Sequence, residues 1–205
     1  MYKNSPLRIL IDASHDGGVW WYPQSSASDF SSSTPHQGKE LADFIRGRGF
    51  QVDELPRGTT ITDSLLSQYD KVIRAGYFFH YSEPELAAYD AFLQRRTSLF
   101  LISEFQRVGQ SDGLAERLGI HFAGAAVFNA SGNSSIEILG WLSDTDYVDL
   151  NDNGRQDADE PTGAPVMGTL HHSHARIFFL GEINGLEGIP QPFVTNLVGW
   201  LFDWR

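Results

Sequence analysis

The first half of the chain alternates between two hydrophobic patterns. Short, nearly continuous apolar runs occur in LRILIDAS (7–14), FQVDEL (50–55), KVIRAGY (71–77) and TSLFLISE (97–104), and such runs are typical of strands buried on both faces. The segments between them carry apolar residues at helical spacing. Strands that alternate with helices predict a parallel sheet with right-handed crossovers. We therefore expect a doubly wound α/β core.

Capping residues bound two of the predicted helices. Thr34 and Gln37 form a capping box at the start of the first helix, and Gly49 ends it. Ser82 and Glu85 form a second capping box, ahead of a helix that runs to about residue 96. The inward stripe of this second helix is predicted to consist of Leu86, Tyr89 and Leu93.

The second half of the chain does not continue this alternation of strands and helices. Residues 120–148 are rich in Gly, Ala and Ser and contain short β-like pieces, whereas ARIFFLGEI (175–183) predicts one more buried strand. The segment QPFVTNLVGWLFDW predicts a closing amphipathic helix. The order of elements predicts a single domain over residues 1–205, with a mainly parallel sheet and a β-rich insertion at about 120–174.

Composition removes several classes of function. The net charge of −11 argues against nucleic acid or an anionic membrane as a partner, since both require a basic face. No apolar run approaches the ~20 residues that a membrane-spanning helix needs. The chain has no cysteine, which excludes disulfides, thiolate zinc sites and cysteine nucleophiles. The first residues lack a secretory-signal pattern, so the protein either stays inside the cell or begins after a removed leader.

Four segments of the sequence carry a resemblance to a known superfamily: HQGKELADFIRGRGFQVDELPRG, YDKVIRAG, YSEPELAAYDAFL, and ARIFFLGEIN followed by NLVGWL. In these segments and in their order, the chain resembles the class I glutamine amidotransferase-like superfamily. It is most similar to the members of uncharacterised function that lack amidotransferase activity and occur as modules in bacterial proteins. The resemblance implies a flavodoxin-like fold, with ligands near the carboxyl ends of the strands.

The chain departs from the enzymes of that superfamily at two places. The resemblance would put a nucleophilic cysteine on the turn after TSLFLISE, where this chain has Ser103, Glu104 and Phe105. It would put a His-Pro-Glu element after the last core strand, where this chain has Gly181, Glu182 and Ile183. Glutamine hydrolysis through a thioester is therefore excluded, and the shared fold alone implies no other activity.

The segment DLNDNGRQDADE (149–160) has the spacing of an EF-hand-like calcium loop. Gly154 is sixth, where such a loop turns sharply. The predicted calcium ligands are the side chains of Asp149, Asn151, Asn153, Asp157 and Glu160 and the carbonyl of Arg155. The alternative is an ordinary polar turn, because Asp, Asn and Gly all favour turns.

The flanks of this loop, DTDYV and PTGAPV, are not predicted to be helical. A structural role is therefore favoured over that of a sensor, which opens a pair of helices. A lone loop is expected to bind calcium only moderately well. This favours an extracellular or periplasmic setting, where calcium is abundant, while a cytoplasmic setting stays open.

The predicted topology gathers polar residues at the carboxyl ends of the strands. Asp12, Ser14, His15 and Asp16 follow the first strand, and His80, Glu104 and Glu182 follow later strands. Carboxylates with a histidine could act as general acid and base of a hydrolase, or could hold a metal. The candidate catalytic residues are His15, His80, Glu104 and Glu182. The alternative is that these side chains only satisfy loop amides or lie on the rim.

Two further motifs allow two interpretations each. The aromatic residues Trp20, Trp21 and Tyr22 could bind a carbohydrate or a protein, or could cover the open end of the sheet. The histidines of HHSH (171–174) could chelate zinc, with His172 and His174 on one face of a strand, or could belong to a polar strand.

The sequence thus favours a calcium-binding accessory or ligand-binding module of an exported bacterial protein. The competing hypothesis is a hydrolase that uses the strand-end carboxylates and histidine.

Overall fold

The computed structural model describes residues 7–15, 39–55, 58–74, 79–103, 111–123, 126–129, 135–151, 153–181 and 191–202. The strands of these ranges are β1 (Arg8–Asp12), β2 (Gln51–Leu55), β3 (Lys71–Arg74), β4 (Ser98–Ile102), β5 (Ile120–Ala123), β6 (Ala126–Asn129), β7 (Glu137–Trp141), β8 (Pro165–His172) and β9 (Ala175–Leu180). The helices are α1 (Lys39–Gly47), α2 (Asp63–Leu66), α3 (Glu83–Leu93), α4 (Gly113–Arg117) and α5 (Gln191–Phe202).

Seven of the strands form one sheet in the order β2-β1-β3-β4-β9-β8-β7. The first five of this order are parallel, whereas β8 and β7 are antiparallel to their neighbours. The parallel part, with β1 between β2 and β3, has the strand order of flavodoxin-like folds. The prediction of a doubly wound, mainly parallel α/β sheet is confirmed.

Alternate residues of the central strands pack on opposite faces of the sheet. Leu10, Leu99 and Phe179 belong to a hydrophobic cluster with residues of α2, α3 and α4. Ile9, Phe100 and Phe178 belong to a second cluster, with α1 and α5. Because both faces are covered, the strands need apolar residues at consecutive positions, which explains the continuous runs in the sequence.

The helix ends follow the capping signals where the structure describes them. The capping box of α3 is present: the carboxylate of Glu85 accepts hydrogen bonds from the Ser82 amide and hydroxyl, each at 2.8 Å. Gly49 follows α1 with a φ of 87°, the left-handed conformation that glycine adopts without strain. The predicted caps Thr34 and Gln37 lie outside the described residues.

The chain between β4 and β9 forms an insertion, and only part of it is separate from the main sheet. Strands β5 and β6 pair with each other alone, whereas β7 and β8 extend the main sheet beyond β9. The pairing of β8 with β9 occupies backbone groups that an edge strand would otherwise expose.

The acidic loop projects from the insertion, and the extended segments on its two sides pair with each other. Tyr147 and Thr162 form an antiparallel bridge, and the Val148 amide donates to the Pro161 carbonyl at 3.1 Å. Val148 also packs in a small cluster with Ala164. The prediction that helices do not flank the loop is therefore confirmed.

The placement predicted for the HHSH histidines is wrong. Strand β8 ends at His172, and Ser173 and His174 form the two-residue turn that leads into β9. The φ of Ser173 is 54°, in the left-handed region that two-residue hairpin turns use. His172 and His174 therefore do not share a strand face, because the turn separates them.

No helix within the described ranges is long and apolar enough to cross a membrane.

Candidate functional site

Asp12 is the centre of a buried polar network at the carboxyl ends of β1 and β3. Its side chain is 1% exposed. One carboxylate oxygen accepts from the Ser14 amide at 2.9 Å and from the Ser14 hydroxyl at 2.5 Å. The other accepts from the phenol of Tyr81 at 2.8 Å and that of Tyr89 at 2.5 Å. With two donors on each oxygen, this carboxylate is well compensated for its burial.

The two phenols that donate to Asp12 are themselves buried. Burial, reinforced by the charge of Asp12, raises the pKa of both Tyr81 and Tyr89 well above the usual value of 10.0. Both hydroxyls therefore keep their protons and act as donors throughout the neutral range. Tyr89 projects from α3, so these bonds also fix that helix against the end of β1.

His15 lies between Ser14 and Glu85. Its Nδ1 is 2.7 Å from the Ser14 hydroxyl oxygen. Because that hydroxyl donates its own proton to Asp12, its oxygen accepts from Nδ1–H of the ring. Nε2 faces the Glu85 carboxylate at 3.6 Å, and the ring stacks on Tyr81 with centroids 3.9 Å apart. The ring is thus held on three sides.

Glu85 joins this network to the start of α3. One of its oxygens accepts from the Ile61 amide at 3.1 Å, and the other accepts from the Ser82 amide and hydroxyl. Burial tends to raise the pKa of Glu85, but these hydrogen bonds and the nearby His15 outweigh burial, and the pKa lies below its usual value. The ionised form is therefore the one that the fold favours.

A buried ion pair lies beside the phenols. Arg74, at the end of β3, is fully buried and bonds to Asp112 at 2.7 Å. Asp112 also caps α4, because its other oxygen accepts from the amides of Leu114 and Ala115 at 3.2 Å each. Burial tends to lower the pKa of Arg74, but the charge of Asp112 outweighs it and raises that pKa. The guanidinium therefore stays charged inside the protein.

The row of Ser14, His15 and Glu85 has the residue types of a nucleophile, a base and an orienting acid. Its hydrogen bonds run in the wrong direction for that role. The hydroxyl proton of Ser14 points to Asp12, and the nearer ring nitrogen of His15 donates to Ser14 instead of accepting from it. Ser14 is also buried. In this arrangement the row orients and supports the strand end.

The structure brings together some of the residues predicted at the strand ends. Ser14 is in hydrogen-bond contact with both Asp12 and His15, whereas His80 is exposed. Asp16, Glu104, Glu182 and the aromatic residues Trp20, Trp21 and Tyr22 lie outside the described residues. The functions predicted for these residues stay predictions.

Several members of the network were not predicted from the sequence: Arg74, Tyr81, Glu85 as a partner of His15, Tyr89 and Asp112. One signal in the sequence did indicate a polar contact of Tyr89. Tyr89 falls on the inward stripe of α3, and a buried phenol needs a hydrogen-bond partner. The carboxyl ends of the strands were the nearest place for such a partner, and Asp12 was already predicted to lie there.

The acidic loop turns at Gly154, whose φ is 73°. The carboxylate of Asp149 accepts from the Asn153 amide at 3.1 Å and from the Gly154 amide at 2.7 Å. One oxygen of Asp157 accepts from the side-chain amides of Asn151 at 2.8 Å and Asn153 at 2.6 Å. The side chains at the first, third, fifth and ninth positions of the loop thus bond within the loop.

Glu160, at the twelfth position, is nearly buried. Its two oxygens accept from the backbone amides of Leu150 at 2.7 Å and Asp157 at 2.9 Å. The amide of Arg155 donates to Asn153 at 2.9 Å. Across the part of the chain that the structure describes, no group of three or more His, Asp or Glu side chains is arranged to hold a metal ion. The loop carboxylates bond instead to amides of the loop itself.

Comparison with known proteins identifies similar folds. No protein-family model and no curated protein sequence matches the chain. The N-terminal domain of mmIFT52 is similar in structure, with a TM-score of 0.58 and 14% identity over 95% of this chain and 96% of that one. A ThuA-like protein from Bacteroides uniformis has a TM-score of 0.54 and 10% identity over 98% of this chain and 92% of that one.

At such low identity these likenesses show the fold alone. ThuA-like proteins have the class I glutamine amidotransferase-like fold, so the fold that the sequence resemblance implied is confirmed.

Proposed function

We propose that this chain is a non-catalytic accessory module that binds calcium through the loop at residues 149–160. The observation that carries the proposal is the conformation of the loop. It already turns at its sixth residue, Gly154, and the side chains of Asn151 and Asn153 already meet at one oxygen of Asp157. Three of the six predicted ligand residues are therefore in contact with one another before any ion is considered.

Calcium binding requires a small rearrangement of this loop. Calcium takes six to eight oxygen ligands at about 2.3–2.6 Å. The side-chain amides of Asn151 and Asn153 now direct nitrogen towards Asp157, and a half-turn of each amide would direct oxygen inward instead. Glu160 would have to exchange its bonds to backbone amides for the ion. The half-turn at Asn153 would also give up the hydrogen bond that its oxygen now accepts from the Arg155 amide at 2.9 Å.

The strand-end network supports a non-catalytic role. Each oxygen of Asp12 already has two donors, and the hydroxyl of Ser14 is committed to Asp12. A catalytic carboxylate or nucleophile needs bonding capacity left over for a substrate. The setting proposed for the module is an exported bacterial protein, since a lone loop with two amide ligands would be filled mainly where calcium is abundant.

Thermal unfolding in excess calcium and in excess chelator tests the calcium proposal. An ion that binds only the native state stabilises it by RT ln(1 + [L]/Kd), which is about 2.7 kcal/mol at a hundredfold excess over Kd. We expect calcium to raise the melting temperature of the wild type and to have little effect on Glu160→Gln. Asp159→Asn is the matched control, because it removes the same charge from an exposed position of the loop that is not a predicted ligand. Equal calcium responses in all three proteins would contradict the proposal.

A hydrolase that uses strand-end groups is the second candidate. The observation that favours it is the position of His15 between the Ser14 hydroxyl and the Glu85 carboxylate. A screen of ester, phosphoester and glycoside substrates would decide between the two. Turnover that Ser14→Ala and His15→Gln both abolish, while the proteins stay folded, would replace the non-catalytic proposal with this one.

A further inference from the structure

A groove of about 940 Å³ lies on the sheet beside α5. Helix α5 packs on β4 and β9, and the sheet continues past these strands through β8 and β7. The floor of the groove includes Glu137 of β7, Thr169 of β8 and Phe178 of β9, which are in register across the three strands. Residues in register across adjacent strands project from the same face of a sheet. The floor therefore offers a carboxylate, a hydroxyl and an aromatic ring side by side.

One side of α5 forms a wall of the groove. Phe193, Asn196 and Trp200 are three and four residues apart, a spacing that places them on the same side of the helix. Each of the three is at least partly exposed. Leu139 of the edge strand β7 adds an exposed apolar side chain. The groove thus combines aromatic and aliphatic surface with polar groups.

The polar side chains of the groove have bonding capacity left for a ligand. Within the described ranges, Glu137, Thr169 and Asn196 make no side-chain hydrogen bond or ion pair. The ring of His171 lies edge-on to Trp200, with centroids 6.1 Å apart, and its nitrogens form no hydrogen bond to other described residues. The network at the carboxyl ends of the strands differs, because its donors and acceptors are matched inside the protein.

The guanidinium of Arg176 also lines the groove, but it is committed to the protein. It donates to the Trp200 carbonyl at 2.8 Å and lies over the Trp200 ring, 5.9 Å from the ring centroid. The groove shares Arg176 and His171 with a smaller cavity of about 360 Å³ at the amino ends of β3 and β4. Arg176 therefore serves to position the indole of Trp200 beside β9.

The chemistry of the groove disfavours charged and purely apolar ligands. The net charge of −11 repels anions. An organic cation would meet the carboxylate of Glu137 but also the guanidinium of Arg176. An apolar ligand would bury the polar groups of the groove without partners, which is unfavourable. The class that fits is a neutral molecule with many donors and acceptors.

We propose that this groove binds a neutral oligosaccharide. Sugar hydroxyls both donate and accept, so they suit a lining in which the carboxylate of Glu137 accepts and the side chains of Asn196 and His171 do either. The C–H faces of a sugar ring are apolar and pack against aromatic rings such as those of Trp200 and Phe193. The volume lies near the top of the range of small-molecule sites, about 300–1,000 Å³, which leaves room for more than one sugar ring.

The oligosaccharide site goes beyond calcium binding and does not depend on it. The described residues that line the groove belong to β7, β8, β9 and α5, and none of them lies in the loop at 149–160. The two proposals can therefore fail separately.

Binding to immobilised oligosaccharides tests this site. The array carries neutral oligosaccharides of glucan, mannan and xylan and, as acidic counterparts, oligogalacturonates. The buffer contains a calcium chelator, so that the acidic loop does not contribute. We expect saturable binding to at least one neutral series and none to the acidic one. Absence of binding to all three neutral series, or tighter binding to oligogalacturonates, would overturn the proposal.

Two variants locate the site by calorimetric titration with the neutral oligosaccharide that the array binds best. Trp200→Ala should weaken binding by about tenfold or more, because a buried aromatic contact is a common centre of binding energy. Asn196→Ala should weaken it by about three- to tenfold, the effect of one neutral hydrogen bond. Asn196 is exposed on a helix, where alanine is favoured, so this variant is expected to stay folded even if Trp200→Ala does not.

The matched control is Trp141→Ala. Trp141 is 59% exposed on β7 and is not among the described residues that line the groove. Removal of this second indole should leave the affinity for the oligosaccharide unchanged. Equal losses in Trp141→Ala and Trp200→Ala would place binding on the sheet edge and overturn the groove as the site. Unchanged binding by folded Asn196→Ala and Trp200→Ala would overturn it as well.

Discussion

The two ends of the parallel sheet use their polar residues differently. At the carboxyl end, Asp12 accepts four hydrogen bonds from Ser14, Tyr81 and Tyr89 and is almost completely buried. At the amino end, Lys71 and Arg176 line a cavity together with exposed histidines. The carboxyl end is where folds of this type usually bind ligands. Here the described polar residues of that end bond mainly to one another.

This comparison shows that the position of a residue at a strand end does not decide its role. At the carboxyl end, the described side chains use their bonding capacity inside the protein. Ser14 and His15 have the residue types of a catalytic pair, yet each is engaged with a buried neighbour. Substitutions of Asp112 and Tyr89 would show whether the carboxyl end is structural, and a substitution of Ser173 would show whether the amino end serves something other than stability.

The largest effect is expected from Asp112→Ala at the carboxyl end. The substitution leaves the fully buried guanidinium of Arg74 without this carboxylate, and breaking a buried pair in this way costs about 3–5 kcal/mol. Urea unfolding monitored by circular dichroism measures the loss. The control is Asp63→Ala, which breaks the exposed pair with Arg95 and should cost no more than about 1 kcal/mol. Similar losses in the two variants would mean that the buried pair contributes no more to the free energy of unfolding than the exposed pair does.

Much of the fold could be predicted from the sequence, because its signals are local. Apolar runs, the capping box of Ser82 and Glu85, and Gly49 lie within single elements, and the structure confirms the strands, the start of α3 and the end of α1 that they indicated. The HHSH turn was missed because serine rarely adopts the left-handed conformation that Ser173 has. Nothing in the residue types therefore marked a two-residue turn within that strand-like segment.

The contacts of the network are harder to predict, because they join distant parts of the chain. Tyr89 and Asp12 are 77 residues apart in sequence, and Lys71 and Ser98 are brought side by side only by the register of β3 and β4. Sequence patterns predict that such residues lie at a strand end. They do not specify which donor meets which acceptor, since this depends on side-chain packing between elements.

A smaller effect is expected from Tyr89→Phe. The change removes one of the four donors to Asp12, and a hydrogen bond to a charged group contributes about 1.5–3 kcal/mol. Urea unfolding again measures the loss, with Tyr147→Phe as a control at a partly exposed phenol in the insertion. If Tyr89→Phe is as stable as the control, the carboxyl end does not depend on this network.

The same phenols predict how stability depends on alkaline pH. Their folded pKa values lie above the unfolded value of 10.0, so their contribution is complete below pH 10 and is lost as pH rises through the folded values. In a spectrophotometric titration, two of the seven tyrosines should ionise only when the protein unfolds. Ionisation of all seven while the circular dichroism stays native would show that the two phenols are accessible.

The smallest effect, and one of opposite sign, is expected at the amino end from Ser173→Gly. Serine in the left-handed conformation costs about 1–2 kcal/mol, and glycine avoids this cost while losing about 0.5–1 kcal/mol of chain entropy. The variant should therefore be slightly more stable than the wild type in urea, whereas Ser64→Gly on the exposed side of α2 should be less stable by about 0.5 kcal/mol. A gain at Ser173 would mean that the turn keeps a residue that stability does not favour, beside a cavity with a basic lining. A loss would show that Ser173 supports the fold, and the amino end would then resemble the carboxyl end in serving stability.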